Sequence, residues 1–237
     1  MSALEIKICG ITRIQDALAA LDLRTDDLRT DDLLVDALRV DDPRVIMLGV
    51  NFYEKSPRCI PLEQARQIAR AVAGRARLVG VFVNMNIEDV LRIARAVPLD
   101  AVQLHGNESA RDCELAAREF EVIRAFHIDA AFSAGRVPEF AACRGILLDA
   151  PCAVHGGSGE SFPWASVPWA EVHRALPAAK VFLAGGLHAA NVGEAIAAVH
   201  PDVVDVCSGV ESAKGIKSIS RMRDFVAAVR AAERQER

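Results

Sequence analysis

The stretch EIKICGITR, residues 5–13, decides between two α/β folds for this chain. It reads as a short apolar strand that runs directly into a tight turn at Gly10. An open doubly wound sheet usually carries the dinucleotide-binding pattern G-x-G-x-x-G in that first turn. The turn here does not match the pattern. The sequence therefore favours a closed barrel, in which the end of this strand faces the active-site mouth.

The rest of the chain shows the alternation of strands and helices that a closed barrel requires. Apolar strand-like runs lie at residues 5–9, 45–52, 78–83, 101–105, 122–126, 145–149, 181–185 and 203–208. Helical periodicity is clearest at residues 62–73, 87–96, 190–199 and 219–232, and the fifth helix, between 122 and 145, is expected to be short or missing. We therefore predict an α/β fold with a single domain, a (β/α)8 TIM barrel that spans residues 1–237.

The bulk composition argues against several classes of protein. The 237 residues are 51% hydrophobic but only 5% aromatic, which suits an aliphatic core with parallel strands buried on both faces. The net charge of −4 and the lack of a basic run argue against a nucleic-acid partner, and no apolar run is long enough to span a membrane. The six cysteines are widely spaced and the N-terminus does not resemble a signal peptide, so we expect a reduced, cytoplasmic protein.

Residues 23–42 differ in character from the rest of the chain. They form four pentads, LRTDD, LRTDD, LLVDA and LRVDD, and a five-residue period fits neither a helix nor a strand. The segment follows the first predicted helix and contains three Arg and seven Asp. We expect an inserted, solvated and mobile loop, because a biased polar repeat cannot build a core. A partner-binding arm is the alternative. In a barrel this loop would lie on the face opposite the active site.

Four side chains at or after the ends of predicted strands could do chemistry at the mouth. Cys9 could act as a base if its pKa is suitable, although a buried structural thiol is equally in keeping with its position. Asp149 closes an apolar strand, where partial burial would raise its pKa and let it donate a proton near neutral pH. Arg58 could bind a carboxylate with both arms of its guanidinium, or could simply be a surface residue. His105 is either functional or a hydrogen-bonded structural histidine.

Glycine-rich ends on the last two strands indicate a phosphate site. The seventh strand runs into LAGGL, residues 183–187, and the eighth runs into CSGVE, residues 207–211. In barrels these two loops hold phosphate through backbone N–H groups. The loop GGSG, residues 156–159, offers further N–H groups. The sequence contains no local metal-ligand pattern and no dinucleotide pattern, so we expect neither a metal nor a cofactor.

Taken in order, these strand ends resemble the phosphoribosylanthranilate isomerase family, a barrel family of tryptophan biosynthesis. KICGIT, QLHG and SGVE are together highly specific, and the resemblance covers nearly the whole chain. The matching pieces are KICGITR at 7–13, SPR at 56–58, VGVFVN at 79–84, VQLHGNE at 102–108, LLDA at 147–150, GGSG at 156–159, LAGGL at 183–187 and SGVE at 208–211.

The resemblance implies roles for individual residues. Cys9 matches the family's general base, Asp149 its general acid, and Arg58 the residue that binds the anthranilate carboxylate. His105 and Asp205 match residues of the active-site mouth that bind substrate. The implied phosphate-binding residues are Gly157, Gly159, Gly185, Gly186, Ser208 and Gly209.

The implied reaction is the Amadori rearrangement of N-(5-phosphoribosyl)anthranilate to 1-(2-carboxyphenylamino)-1-deoxyribulose 5-phosphate, by general acid–base catalysis. The enzyme would act on this small phosphorylated substrate as a monomer or a homodimer. Two alternatives remain open. One is the related aminoaldose isomerase of histidine biosynthesis, which would be expected to use two aspartates and two phosphate sites. The other is a catalytically silent phosphosugar-binding barrel, which would bind its ligand without turnover.

Overall fold

The computed structural model describes residues 4–23, 46–129, 132–149 and 169–235. Strands and helices alternate along these ranges. The strands are β1 (Glu5–Ile8), β2 (Ile46–Asn51), β3 (Arg77–Phe82), β4 (Ala101–Leu104), β5 (Glu121–His127), β6 (Gly145–Asp149), β7 (Lys180–Ala184), β8 (Val203–Val206), β9 (Glu211–Ala213) and β10 (Ile216–Lys217). The helices are α1 (Ile14–Asp22), α2 (Leu62–Val72), α3 (Ile87–Ala96), α4 (Ala110–Ala116), α5 (Trp169–Ala175), α6 (Val192–Val199) and α7 (Ile219–Gln235).

The first eight strands form a closed parallel barrel. They pair in chain order, and β1 closes the ring by pairing with both β2 and β8. The predicted barrel is therefore confirmed, and most strand bounds agree with the prediction to within one residue. The predicted weakness of the fifth helix is also confirmed, because a 3-10 helix at Ala134–Phe140 takes its place. The short antiparallel pair β9–β10 was not predicted.

Two apolar layers hold the barrel together. Alternate strand residues point outward and pack under the helices, as Ile6 and Ile8 do, in one continuous core. The inward-pointing residues form a separate cluster: Met47, Val79, Ala101, Ile123, Ala125, Leu147, Phe182, Ala184 and Val203. The Phe182 ring fits inside because residue 145 is glycine, where a Cβ would lie 2.7 Å from the ring.

Parts of the sequence predictions fall outside the described residues. Of the pentad segment 23–42, only Leu23 is described, and it is buried at the end of α1. The loop at 156–159 also lies outside the described ranges. Among the described residues, each helix is too short or too polar to cross a lipid bilayer.

Lys7 and Asp205 form an ion pair inside the barrel, just below its carboxyl-terminal mouth. They lie opposite each other on β1 and β8, and Lys7 Nζ donates to Asp205 Oδ2 at 2.8 Å. The side chain of Lys7 is 0% exposed and that of Asp205 6%. Burial alone would lower the pKa of Lys7, but the nearby Asp205 and Cys9 raise it. Burial raises the pKa of Asp205 to about 7, against the opposing effect of Lys7. Lys7 therefore stays charged at neutral pH.

Replacing Lys7 by Met is expected to lower the free energy of unfolding at pH 7 by about 3–5 kcal/mol, because Asp205 loses its cation while remaining buried. The loss should be smaller near about pH 5, where Asp205 is already protonated in the folded protein, and larger near about pH 8. Urea unfolding at the three pH values measures it. The control is Lys180→Met, which removes a partly exposed pair with Glu5 and should cost less than about 1 kcal/mol. Equal losses in the two variants would contradict the prediction.

Candidate active site

Cys9 lies directly after β1, at the point where the chain turns away from the barrel mouth. The turn depends on Gly10, which has a φ of +71°, a conformation that favours glycine. A Cβ on Gly10 would also lie 2.6 Å from Arg58 Cδ and 2.9 Å from Cys207 Sγ. The glycine therefore allows two other side chains of the mouth to pack beside the first strand.

The surroundings of Cys9 favour its thiolate. The strongest influence is a hydrogen bond from Cys207, and the positive charges of Lys7 and Lys217 act in the same direction. Together they outweigh the effect of burial and lower the pKa of Cys9 well below its ordinary value. The pKa of Cys207 is raised, because this thiol keeps its proton in the hydrogen bond to Cys9. Cys9 therefore lies at the mouth as a thiolate, which is the form in which a thiol can act as a base.

Asp149 ends β6 and accepts hydrogen bonds from two imidazoles. Its Oδ2 lies 3.2 Å from His105 Nε2 and 3.4 Å from His127 Nδ1. Burial raises the pKa of Asp149, but the two histidines outweigh it and lower the pKa to about 2. The expectation that burial would leave this pKa raised is therefore wrong. The same contact raises the pKa of His127.

Gln103 orients His105 from below. The Gln103 amide lies 2.7 Å from His105 Nδ1 and donates to it, which leaves the ring proton on Nε2 to be donated to Asp149. The Asp149 cluster is thus built from the ends of three adjacent strands, β4, β5 and β6. Sequence analysis identified His105 and Asp149 but missed His127 and Gln103. The one available signal for His127 was its position directly after the predicted fifth strand.

Arg58 also reaches the mouth, but a carboxylate of the protein already occupies part of its guanidinium. Its Nε and Nη2 each donate to Glu211 at 2.7 Å. Lys217 Nζ donates to the same carboxylate at 3.0 Å and to the Cys207 carbonyl at 3.0 Å. Glu211 and Lys217 belong to the unpredicted pair β9–β10. This pair therefore holds Arg58 in position and places a second cation near the two thiols.

The loops after β7 and β8 come together as predicted. Gly185 and Gly186 have φ values of +96° and +62°, which favour glycine. Residue 209 must be glycine as well, because a Cβ there would lie 1.9 Å from the Leu187 carbonyl oxygen. Ser208 begins the short 3-10 helix Ser208–Val210. The structure thus brings four of the six proposed phosphate residues together. Gly157 and Gly159 lie outside the described residues.

One group of described residues has the donor atoms that a metal ion would need. His105, His127 and Asp149 each offer one ligand atom, and these atoms all lie within 4.8 Å of one another. The sequence could not indicate this set, because its members come from three different strands. Their hydrogen bonds to one another already account for the arrangement.

Comparison with known proteins agrees with this geometry. Residues 6–228 match the profile of the family described as N-(5'phosphoribosyl)anthranilate (PRA) isomerase. This chain belongs to that family. It is 40% identical to the N-(5'-phosphoribosyl)anthranilate isomerase of Pseudomonas aeruginosa (strain UCBPP-PA14), over 100% of both chains. It is 41% identical to that of Pseudomonas putida (strain GB-1), over 98% of this chain and 100% of the relative.

Solved structures of the PRA isomerase family share the fold. The phosphoribosyl anthranilate isomerase of Thermotoga maritima superposes with a TM-score of 0.78 at 33% identity, covering 96% of this chain and 99% of that one. A phosphoribosyl anthranilate isomerase in complex with reduced 1-(O-carboxyphenylamino)-1-deoxyribulose 5-phosphate gives 0.76 at 31% identity, with the same coverage. The predicted family is therefore confirmed.

Removing the two imidazoles is expected to raise the pKa of Asp149. In His127→Ala it should rise from about 2, and in His105→Ala/His127→Ala it should exceed the ordinary value of about 4, because burial is then the main remaining influence. Carbon-13 NMR titration of the carboxyl groups measures this, with Asp149→Asn to assign the signal. His173→Ala, on α5 outside the barrel, is the control. An unchanged pKa in the double variant would show that the histidines do not hold Asp149 in its charged form.

Proposed function

We propose that the protein catalyses the Amadori rearrangement of N-(5-phosphoribosyl)anthranilate in tryptophan biosynthesis, with Cys9 as general base and Asp149 as general acid. The observation that carries these roles is the position of the two groups. Cys9 follows β1 and Asp149 ends β6, so they face the same mouth from different sides of the barrel. A substrate between them can receive a proton from one and lose a proton to the other.

Asp149 acts first, as the general acid, because the furanose ring must open before the rearrangement can proceed. A proton delivered to the ring oxygen lets the C1–O bond break, and the anthranilate nitrogen supplies the electron pair that forms the Schiff base. Asp149 is charged at neutral pH, so it needs a proton at this stage. Substrate that covers the mouth removes water from Asp149, which favours its neutral form. His127, whose pKa is raised by its contact with Asp149, is the adjacent group that can supply this proton.

Cys9 has the second role. The Schiff base acidifies the C2 proton of the sugar, and the Cys9 thiolate removes it to form an enolamine. Tautomerisation of the enolamine gives the ketone product. Lys7 and Lys217 stabilise the thiolate before this step, because both lower the pKa of Cys9. A base with a pKa near the working pH combines a high ionised fraction with enough basicity to take the proton.

The remaining residues bind and orient the substrate. Gly185, Gly186, Ser208 and Gly209 supply backbone N–H groups for the phosphate, and we assign Gly157 and Gly159 to the same site from the family resemblance. Arg58 binds the anthranilate carboxylate, with Glu211 fixing the plane of its guanidinium. His105 lies at the mouth and Asp205 just below it, and we assign both to substrate binding from the family resemblance. The binding energy of the phosphate serves to position the reacting carbon atoms.

The cellular setting belongs to the same proposal. The five cysteines among the described residues are free thiols, which fits a reducing, cytoplasmic location. The protein acts as a single-domain monomer or homodimer, and one of its structural neighbours is described as generated monomers of a dimeric phosphoribosylanthranilate isomerase. A partner other than the small phosphorylated substrate is not part of the proposal.

Replacing Cys9 by Ser is expected to lower kcat/KM by at least about 10², because a serine hydroxyl is a far weaker base than a thiolate. The loss of substrate fluorescence, with freshly generated phosphoribosylanthranilate, measures the rate. Cys59→Ser makes the same change at another partly exposed thiol and should retain most of the activity. A decrease of less than about threefold in Cys9→Ser would refute the role of Cys9 as the base.

Replacing Arg58 by Ala is expected to raise KM about tenfold or more, with a smaller change in kcat, because the carboxylate is bound equally in the ground and transition states. Arg58→Lys should recover little of the loss, since a lysine cannot make the two parallel hydrogen bonds of a guanidinium. The same fluorescence assay over a range of substrate concentrations separates KM from kcat. An unchanged KM in Arg58→Ala would refute the binding role.

A further inference from the structure

Cys9 and Cys207 lie opposite each other, directly after the neighbouring strands β1 and β8. In the pairing of β1 with β8, Lys7 is opposite Asp205 and Ile8 is opposite Val206. The Cys9 N–H donates to the Val206 carbonyl at 2.8 Å, which extends the same register by one residue and places Cys9 opposite Cys207. Lys7 and Asp205, two residues earlier on the same face, already meet at 2.8 Å. Side chains on this face of the two strands therefore converge.

The spacing of the two strands suits a disulfide bond. Opposite residues on neighbouring strands have Cα atoms about 4.8 Å apart, and disulfides span Cα separations of about 4.4–6.8 Å. Cys207 is within hydrogen-bonding reach of Cys9, so little movement is needed to bring the sulfur atoms into contact. Both cysteines are free in this structure and both are partly exposed at the mouth.

The two thiols also differ in their protonation, and this difference favours oxidation of Cys9 before Cys207. Cys9 is held as a thiolate by the hydrogen bond from Cys207 and by the positive charges of Lys7 and Lys217, and thiolates are the form that reacts with peroxides. Cys207 keeps its proton beside it, with Lys217 Nζ 3.9 Å from its Sγ. A partly exposed thiolate next to a second thiol is the arrangement found in reversible redox-sensing cysteines.

We propose that Cys9 and Cys207 form a reversible oxidation site, in which a hydroperoxide converts the two thiols into an intramolecular disulfide and blocks the base. The formation of the disulfide does not depend on the proposed function. Its effect on activity does, because inactivation follows from the role of Cys9 in proton transfer.

The oxidation takes place in two balanced steps. The Cys9 thiolate attacks one oxygen of hydrogen peroxide, the O–O bond breaks, and Cys9 becomes a sulfenic acid while hydroxide leaves. The Cys207 sulfur, losing its proton to that hydroxide, then attacks the sulfenic sulfur, and the S–S bond forms as a second hydroxide leaves. One thiolate, one thiol and one peroxide thus yield one disulfide, one water and one hydroxide, and a dithiol reductant reverses the change.

The chain contains a second pair of thiols that serves as an internal control. Cys113 and Cys143 also interact through their side chains, but they are 0% and 4% exposed and lie in the core. Because reaction with peroxide requires access as well as a neighbouring thiol, this buried pair should remain reduced in the folded protein.

The test treats the reduced full-length protein with hydrogen peroxide and then maps its cysteines by alkylation, proteolysis and mass spectrometry. A peptide that joins Cys9 to Cys207 is expected, while Cys113 and Cys143 remain alkylated. Activity, relative to the untreated protein, should fall about tenfold or more and return with dithiothreitol. In Cys207→Ser, measured against its own untreated rate, peroxide should instead drive Cys9 to sulfinic acid, and dithiothreitol should not restore the activity. Cys113→Ser should behave like the wild type.

Each result decides the question. Absence of the Cys9–Cys207 peptide, or equally reversible inactivation in Cys207→Ser, would overturn the proposal. Formation of the peptide in a protein that shows no isomerase activity before treatment would instead refute the proposed function and leave the oxidation site standing.

Discussion

The site depends on one buried cation, Lys7, that faces two acids, Asp205 and Cys9. Burial would remove the proton of an isolated lysine, and the negative charges beside Lys7 are what keep it charged. One positive charge cannot fully compensate two negative charges in a medium of low polarity. Burial is the main cause that raises the pKa of Asp205 to about 7, and the negative charge of Cys9 acts in the same direction, whereas the hydrogen bond from Cys207 and the charges of Lys7 and Lys217 lower the pKa of Cys9. The barrel thus stabilises the thiolate at the mouth and leaves the deeper carboxyl with the weaker tendency to ionise.

Much of this architecture could be predicted from the sequence, because aliphatic runs mark the strands and glycine-rich stretches mark the turns that follow them. Once the strands of a barrel are located, their carboxyl ends must meet at one mouth, and Cys9, His105 and Asp149 were found in this way. His127 was not predicted from the sequence. The predicted fifth strand stopped at residue 126, whereas β5 continues to His127, whose ring reaches Asp149. A difference of one residue at a strand end hid a member of the site.

The lowered pKa of Asp149 could not be predicted from the residues around it in the sequence. The sequence around it shows an apolar strand, and burial by itself does raise a carboxyl pKa. The groups that lower the pKa of Asp149 instead are His105, directly after β4, and His127, at the end of β5. Their positions depend on the register of β4, β5 and β6. The same holds for Arg58, whose partner Glu211 is 153 residues away in the chain. Local patterns identify which residues reach the mouth, whereas their charge states are set by partners that only the fold brings together.

The acidity of Cys9 and its sensitivity to oxidation have a single physical origin. A thiol can serve as a base near neutral pH only if it is held as a thiolate, and a thiolate is also the form that attacks a peroxide. The field of Lys7 and Lys217 therefore promotes both reactions, and a change that weakened one would weaken the other. Position 207 is different, because a serine there would still donate a hydrogen bond to Cys9 but could not form a disulfide. A cysteine at this position lets an oxidised base be recovered by a dithiol, whereas a base without a neighbouring thiol continues to sulfinic acid, which dithiols do not reduce. The residue opposite Cys9, directly after β8, thus decides whether oxidation of this site is reversible, independently of the charges that make the Cys9 thiolate reactive.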